Sequence, residues 1–116
     1  MMNTSKIKSL LPGSEISEIR PCTAPGKLQF HLMVGGRGDL MTRIVDISML
    51  AILLEEHPLF SDVKASQELG VVRARYKDVE LSILASGRAV VKKVSDRKEA
   101  QDILEALAPL IKKALF

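Results

Sequence analysis

The sequence predicts an α+β domain. It consists of a curved antiparallel sheet in the order β-α-β-β-β-β-α, with two helices packed on one face. Three observations predict it. Val79, Leu81, Ile83 and Ala85 alternate with Asp78, Glu80 and Ser82, which is the two-residue period of a half-buried strand. Ser86-Gly87 is a turn pair, and a second β-rich run follows it from Ala89 to Val94. Asp96, with Glu99 three residues later, forms a capping box ahead of an apolar helix.

A chain of 116 residues makes one domain with one core. A single cysteine excludes an internal disulfide framework and suits a reducing cytoplasm. The N-terminal stretch lacks the apolar core of a signal peptide. The longest apolar run, Met49 to Leu54, is far shorter than the ~20 residues needed to span a bilayer. A cytoplasmic protein without a membrane partner is therefore expected.

Residues 1–26 form an N-terminal segment expected to dock on the core as a short helix or coil, and residues 27–116 form the domain proper. Ser5 to Leu11 suits a short helix, stopped by Pro12-Gly13, and Ser14 to Arg20 suits one further helical turn through Ile16 and Ile19. Pro21, Pro25 and Gly26 make the next stretch a loop. Cys22 lies in that loop between Arg20 and Lys27, where neighbouring cations favour the thiolate, so it is a candidate reactive thiol. No histidine or asparagine partner for nucleophilic catalysis can be placed beside it.

From Lys27 to Val34 the chain alternates. Leu28, Phe30, Leu32 and Val34 share one face, and Gln29, His31 and Met33 share the other. The glycine-rich stretch 35–39 then reads as a strand-to-helix turn, with Asp39 as the helix cap. A helix is expected from Leu40 to His57, ended by Pro58. Its apolar face is wider than one packed layer needs, because Val45, Met49, Ile52 and Leu53 flank the stripe Leu40, Ile44, Ile47, Ala51 and Leu54. Such a helix either lies deep or buries a second face against another chain.

Val63 to Gln67 and Val71 to Tyr76 read as strands separated by Leu69-Gly70. On the latter, Arg73, Arg75 and Lys77 share a side opposite Val72, Ala74 and Tyr76, and Lys77-Asp78 makes a sharp corner. The last helix, Arg97 to about Leu115, stacks Ala100, Ile103, Leu107, Leu110 and Ala114, with Pro109 expected to kink it or split off a last turn. The hairpin register is open to two readings. A two-residue loop puts Val90 and Val94 on the face of Leu81 and Ile83. A three-residue loop with Gly87 in a left-handed bulge puts Ala89 and Val91 there, and leaves Leu84, Val90, Lys92 and Val94 on the open face.

Charge is uneven along the chain. Residues 64–98 carry nine Lys/Arg against four Asp/Glu, and the stretches on either side each carry a net charge of −1. A basic sheet face suits an anionic partner or simply keeps the surface soluble. No metal-ligand set, paired acid and base, or nucleotide loop is visible. No cofactor and no enzymatic activity are therefore expected.

The order of elements resembles one repeat of the TATA-box-binding-protein fold. The matching pieces are Arg73-Ala74-Arg75, a short corner, Leu84-Ala85-Ser86-Gly87-Arg88 with Val90-Val91, and the capped helix carrying Glu99-Ala100. Together they span roughly Leu28 to Leu110. The resemblance implies the bulged hairpin turn. That family carries two repeats and wedges phenylalanines into the minor groove, whereas this chain has one repeat with Leu84 at the hairpin position and Gln67 or Glu68 before the Arg73 strand. DNA bending of that kind is not carried over. Val79 to Leu104 is also similar to the small C-terminal domain attached to some ThiF/MoeB-like adenylyltransferases, which implies an accessory role in sulfur-carrier chemistry.

Three functions follow as expectations. The first is a small non-catalytic assembly module that homodimerises or binds another protein. The second is a nucleic-acid-binding domain whose open face presents Arg73, Arg75, Lys77, Arg88, Lys92 and Lys93 to phosphates and Leu84 to the bases. The third is the accessory role, with the sheet concavity or Cys22 as its site.

Overall fold

The computed structural model describes residues 5–11, 13–19, 27–34 and 44–115. The elements in chain order are α1 (Ser5–Leu10), β1 (Glu15–Ile19), β2 (Leu28–Met33), α2 (Ile47–Glu56), β3 (Ser61–Ser66), β4 (Val71–Tyr76), β5 (Val79–Leu84), β6 (Arg88–Val94) and α3 (Arg97–Lys113). The strands form one six-stranded sheet in the order β1-β2-β6-β5-β4-β3, and every pairing is antiparallel. The α+β class and the one-sided helical layer are as the sequence predicts.

Burial alternates along the central strands. Phe30 and Leu32 on β2, Val72 and Ala74 on β4, Leu81 and Ile83 on β5, and Ala89 and Val91 on β6 are all buried on one side. Against them pack Ile47, Leu50 and Leu54 of α2 and Ala100, Ile103, Leu104, Leu107 and Ile111 of α3. Ile7 of α1 and Leu11 just after it extend the same core from the N-terminal end.

The hairpin adopts the bulged register. Ile83 lies opposite Ala89 and Leu81 opposite Val91, with Gly87 at φ 97° closing the turn. The Gly87 amide donates to the Leu84 carbonyl, and its own carbonyl accepts from the Val34 amide at 2.9 Å. The capping box of α3 also forms. The Asp96 carboxylate accepts from the Glu99 amide at 2.8 Å, while the Glu99 carboxylate reaches back one residue further than the standard pattern, to the Ser95 amide at 3.0 Å. α3 continues through Pro109 without a break.

Five expectations need correction or fall outside the description. Residues 15–19 form an edge strand, not a helical turn. Ile16 pairs with Leu32 and Glu18 with Phe30, so sheet pairing satisfies backbone groups that a single isolated turn leaves open. α2 starts at Ile47 and not at Leu40, because Ile44 and Val45 donate their amides to the Ala85 carbonyl and Val45 bridges to Leu115. Asp46 then caps the helix by accepting from the Met49 amide. The glycine-rich turn with Asp39, and Cys22 with its loop, lie outside the described residues. Val94 is fully buried, not on the open face. Lys93 adopts φ 67°, and the pairing of β2 with β6 shifts register between Leu28 and Phe30, so Val94 turns back to the core opposite Leu28.

A methyl group at Gly87 would sit 2.6 Å from the Ile44 Cδ1 and 3.1 Å from the Val34 carbonyl oxygen, on a backbone that already disfavours a side chain. Gly87→Ala is expected to destabilise the fold by about 2 kcal/mol in urea denaturation, combining positive-φ strain and close contact. An unchanged denaturation midpoint would show that the turn is not held as described.

Candidate functional site

Among the described residues nothing covers the face of the sheet away from the helices, and pairing fixes what it displays. Along one row run Ser17, His31, Val90, Ser82, Arg73 and Lys64, from β1 to β3. Along the next row, Arg75 lies opposite Glu80 and Glu80 opposite Lys92. The alternation that buries Val72 and Ala74 necessarily sends Arg73 and Arg75 to this side.

On the β3–β6 half these side chains surround a concavity of about 530 Å³, lined by Lys64, Arg73, Arg75 and Lys92 together with Asp62 and Glu80. Ser82 adds a hydroxyl to the lining. Lys64 and Arg73 are directly opposed across β3 and β4. Like charges in that relation repel, since their Cβ atoms stand only ~5 Å apart. Among the described residues, none of the four cations lining the concavity is engaged in an ion pair. Glu80, the nearest carboxylate to Arg75 and Lys92 by pairing, is instead bound by Lys93 at 3.1 Å. The hydrogen bond and charge of Lys93 hold the Glu80 carboxyl below the usual range, with smaller help from Arg75 and Lys92.

His31 stands on the β1–β2 side of the same face, half-buried, with its Nε2 3.0 Å from the Gln29 amide nitrogen. Burial, then Arg88, then Lys92, lowers its pKa below the ordinary 6.5. Around it stand Ser17 on β1, Gln29 and Met33 on β2, and Arg88, Val90 and Lys92 on β6. A carboxylate also stands on this face at Glu15, opposite Met33 and so diagonal to His31.

Of the residues singled out in the sequence, Arg73, Arg75 and Lys92 are brought together at the concavity. Arg88 is half-buried further along the face, its Nε donating to the Met33 sulfur at 3.3 Å. Leu84 is half-buried and pairs with Val71 at the end of β5. Lys77 does not join them. It occupies the β4–β5 turn at φ 54°, with its ammonium 5.5 Å from the centre of the Tyr76 ring. Lys93 reaches Glu80 and not the concavity. Lys64, Asp62, Glu80 and Ser82 went unmarked as site residues. Once β3 is placed, its alternation is enough to put Lys64 beside Arg73.

Among the described residues no cluster of His, Cys, Asp and Glu is arranged to hold a metal ion. No helix among them is long and apolar enough to cross a membrane. Comparison with protein families, with curated proteins and with solved structures finds no match for this chain.

The lowered pKa of His31 has a signed consequence for stability. The unfolded chain takes up this proton at a higher pH than the folded one, so stability falls as pH drops through about 6.5. Thermal melts of the wild type from pH 7.5 to 5.5 are expected to show that loss, and His31→Gln is expected to flatten it. An identical slope in the variant would remove His31 as the cause.

Proposed function

We propose that the protein is a binding module that engages the phosphate backbone of nucleic acid with its open sheet face. The opposition of Lys64 and Arg73 without a counter-ion carries this reading. Both side chains are exposed and line the same concavity, so a phosphate there would be met by two cations. The cations are spread out and not converged on one point. Arg73 and Arg75 stand two residues apart on one strand, about 7 Å, and Lys92 lies two strands away from them, about 10 Å. That spacing suits a chain of phosphates better than a single small anion.

Base stacking is not supported by what the face displays. Among the described aromatic residues, Phe30 and Phe60 are buried, and Tyr76 packs beside Phe60 with ring centres 6.2 Å apart. With phosphates contacted and no Phe or Tyr ring among the described residues offered to the bases, the recognition is independent of sequence.

Fluorescence anisotropy with a mixed-sequence DNA duplex tests the reading. Affinity is expected to fall steeply with added salt. Lys64→Ala with Arg73→Ala is expected to weaken binding similarly for all sequences and to lower the salt slope by about 2. No detectable affinity at low salt would end this reading.

A second reading, homodimerisation, is favoured by a separate observation. Met49 and Ile52 on α2 remain 43% and 51% exposed, and Leu59 just beyond the helix 49%. These residues lie on the helical side, so a second copy seated there leaves the basic face free. Sedimentation is expected to show a dimer at micromolar concentration that Ile52→Glu converts to monomer. A wild-type monomer at those concentrations would dispose of this reading while leaving the first intact.

A further inference from the structure

The open face carries its own carboxylate. Glu80 sits on β5 with Arg75 opposite it on one side and Lys92 opposite it on the other, the place a bound phosphate would take between those two cations. Yet the ion pair that Glu80 makes is with Lys93, at 3.1 Å. Lys93 is available because β6 bulges there. Its backbone at φ 67° breaks the alternation, so Lys92 and Lys93, consecutive in sequence, both act on the Glu80 side of the sheet.

We infer that Glu80 is a built-in competitor for the phosphate and that Lys93 holds it aside, so that this pair sets the affinity of the open face. The inference rests on the nucleic-acid reading above. With Glu80 bound by Lys93, Arg75 and Lys92 remain available to an incoming anion. Without Lys93 the carboxylate is free to turn to either of them and occupy the site. An anion must in either case approach a fixed negative charge, so a single phosphate gains little there. A chain of phosphates contacting Lys64 and Arg73 as well gains enough to displace or tolerate it.

The predicted effects have opposite signs. Glu80→Gln keeps the shape and removes the charge. A unit charge a few ångströms away in a wet site is worth about 1 kcal/mol, so duplex binding is expected to tighten about fivefold. Lys93→Met is expected to weaken binding, both by losing a cation and by releasing Glu80. A double-mutant cycle separates the two contributions. The cost of Lys93→Met is expected to be clearly smaller in the Glu80→Gln background, where no carboxylate remains to be released.

The experiment is anisotropy of a labelled mixed-sequence DNA duplex at fixed low salt, using the full chain as wild type, both single variants and the double variant. Tighter binding by Glu80→Gln than by the wild type, together with coupling in the cycle, supports the inference. Binding of equal strength by wild type and Glu80→Gln, or an equal cost of Lys93→Met in both backgrounds, overturns it and leaves the nucleic-acid reading standing. No binding by any of the four proteins overturns both.

Discussion

The pairing of Leu81 with Val91 and of Ile83 with Ala89 decides which side of this sheet is dry. β5 and β6 lie at the centre of the strand order, and each passes its facing on to its neighbours. A slip of one residue would turn Ala89 and Val91 outward and carry Val90 and Lys92 inward, and a buried lysine without a partner is not tolerated. Gly87 enforces the choice. Its positive φ closes a turn of the right length, and its carbonyl ties the hairpin to Val34 at the end of β2. The core beneath α2 and α3 and the charge on the opposite side are thus two results of one register.

The distribution of charge follows. Once Val72 and Ala74 must face the helices, Arg73 and Arg75 have nowhere else to go, and pairing of β3 with β4 brings Lys64 against Arg73. The acids do not mirror them. Asp96 and Glu99 cap α3, Glu18 pairs with Arg97 across the helical side, and Glu80 is taken by Lys93. Helix capping and the helical side thus take Asp96, Glu99 and Glu18, while Glu80 and Asp62 stay on the face that gathers the cations. The positive character of that face is a property of the fold more than of the composition, whose net charge is only +3.

Much of this was legible in the sequence where periodicity and end signals agree. β2, β4, β5, β6 and α3 each combine an alternating or helical stripe with a turn or cap. The bulged register was open on residues alone, and the pairing of Ile83 with Ala89 decides it. What was not legible has physical causes. Ile16 and Ile19 fit a helical turn as well as a strand, and only pairing with the free edge of β2, which a local pattern does not show, decides for the strand. The start of α2 was hidden because Ile44 and Val45 continue its apolar stripe while their amides are claimed by Ala85, far along the chain. Glu80 read as an ordinary solvent-facing residue of an alternating strand. Its setting between Arg75 and Lys92 appears only once three strands are laid side by side.

The bulge at Lys93 joins core and surface. A non-glycine residue at φ 67° costs of order 1 kcal/mol. Returning Val94 to the core opposite Leu28 yields about 1.5–3 kcal/mol of apolar burial, so the core alone justifies the irregularity. The core does not require a lysine at the bulge. Glycine or asparagine would adopt the same backbone at lower cost. A lysine makes sense there through what its side chain does, and the contact it makes is with Glu80. Strain accepted for the sake of the core thereby also fixes, through Lys93, the position of one carboxylate among the cations of the open face.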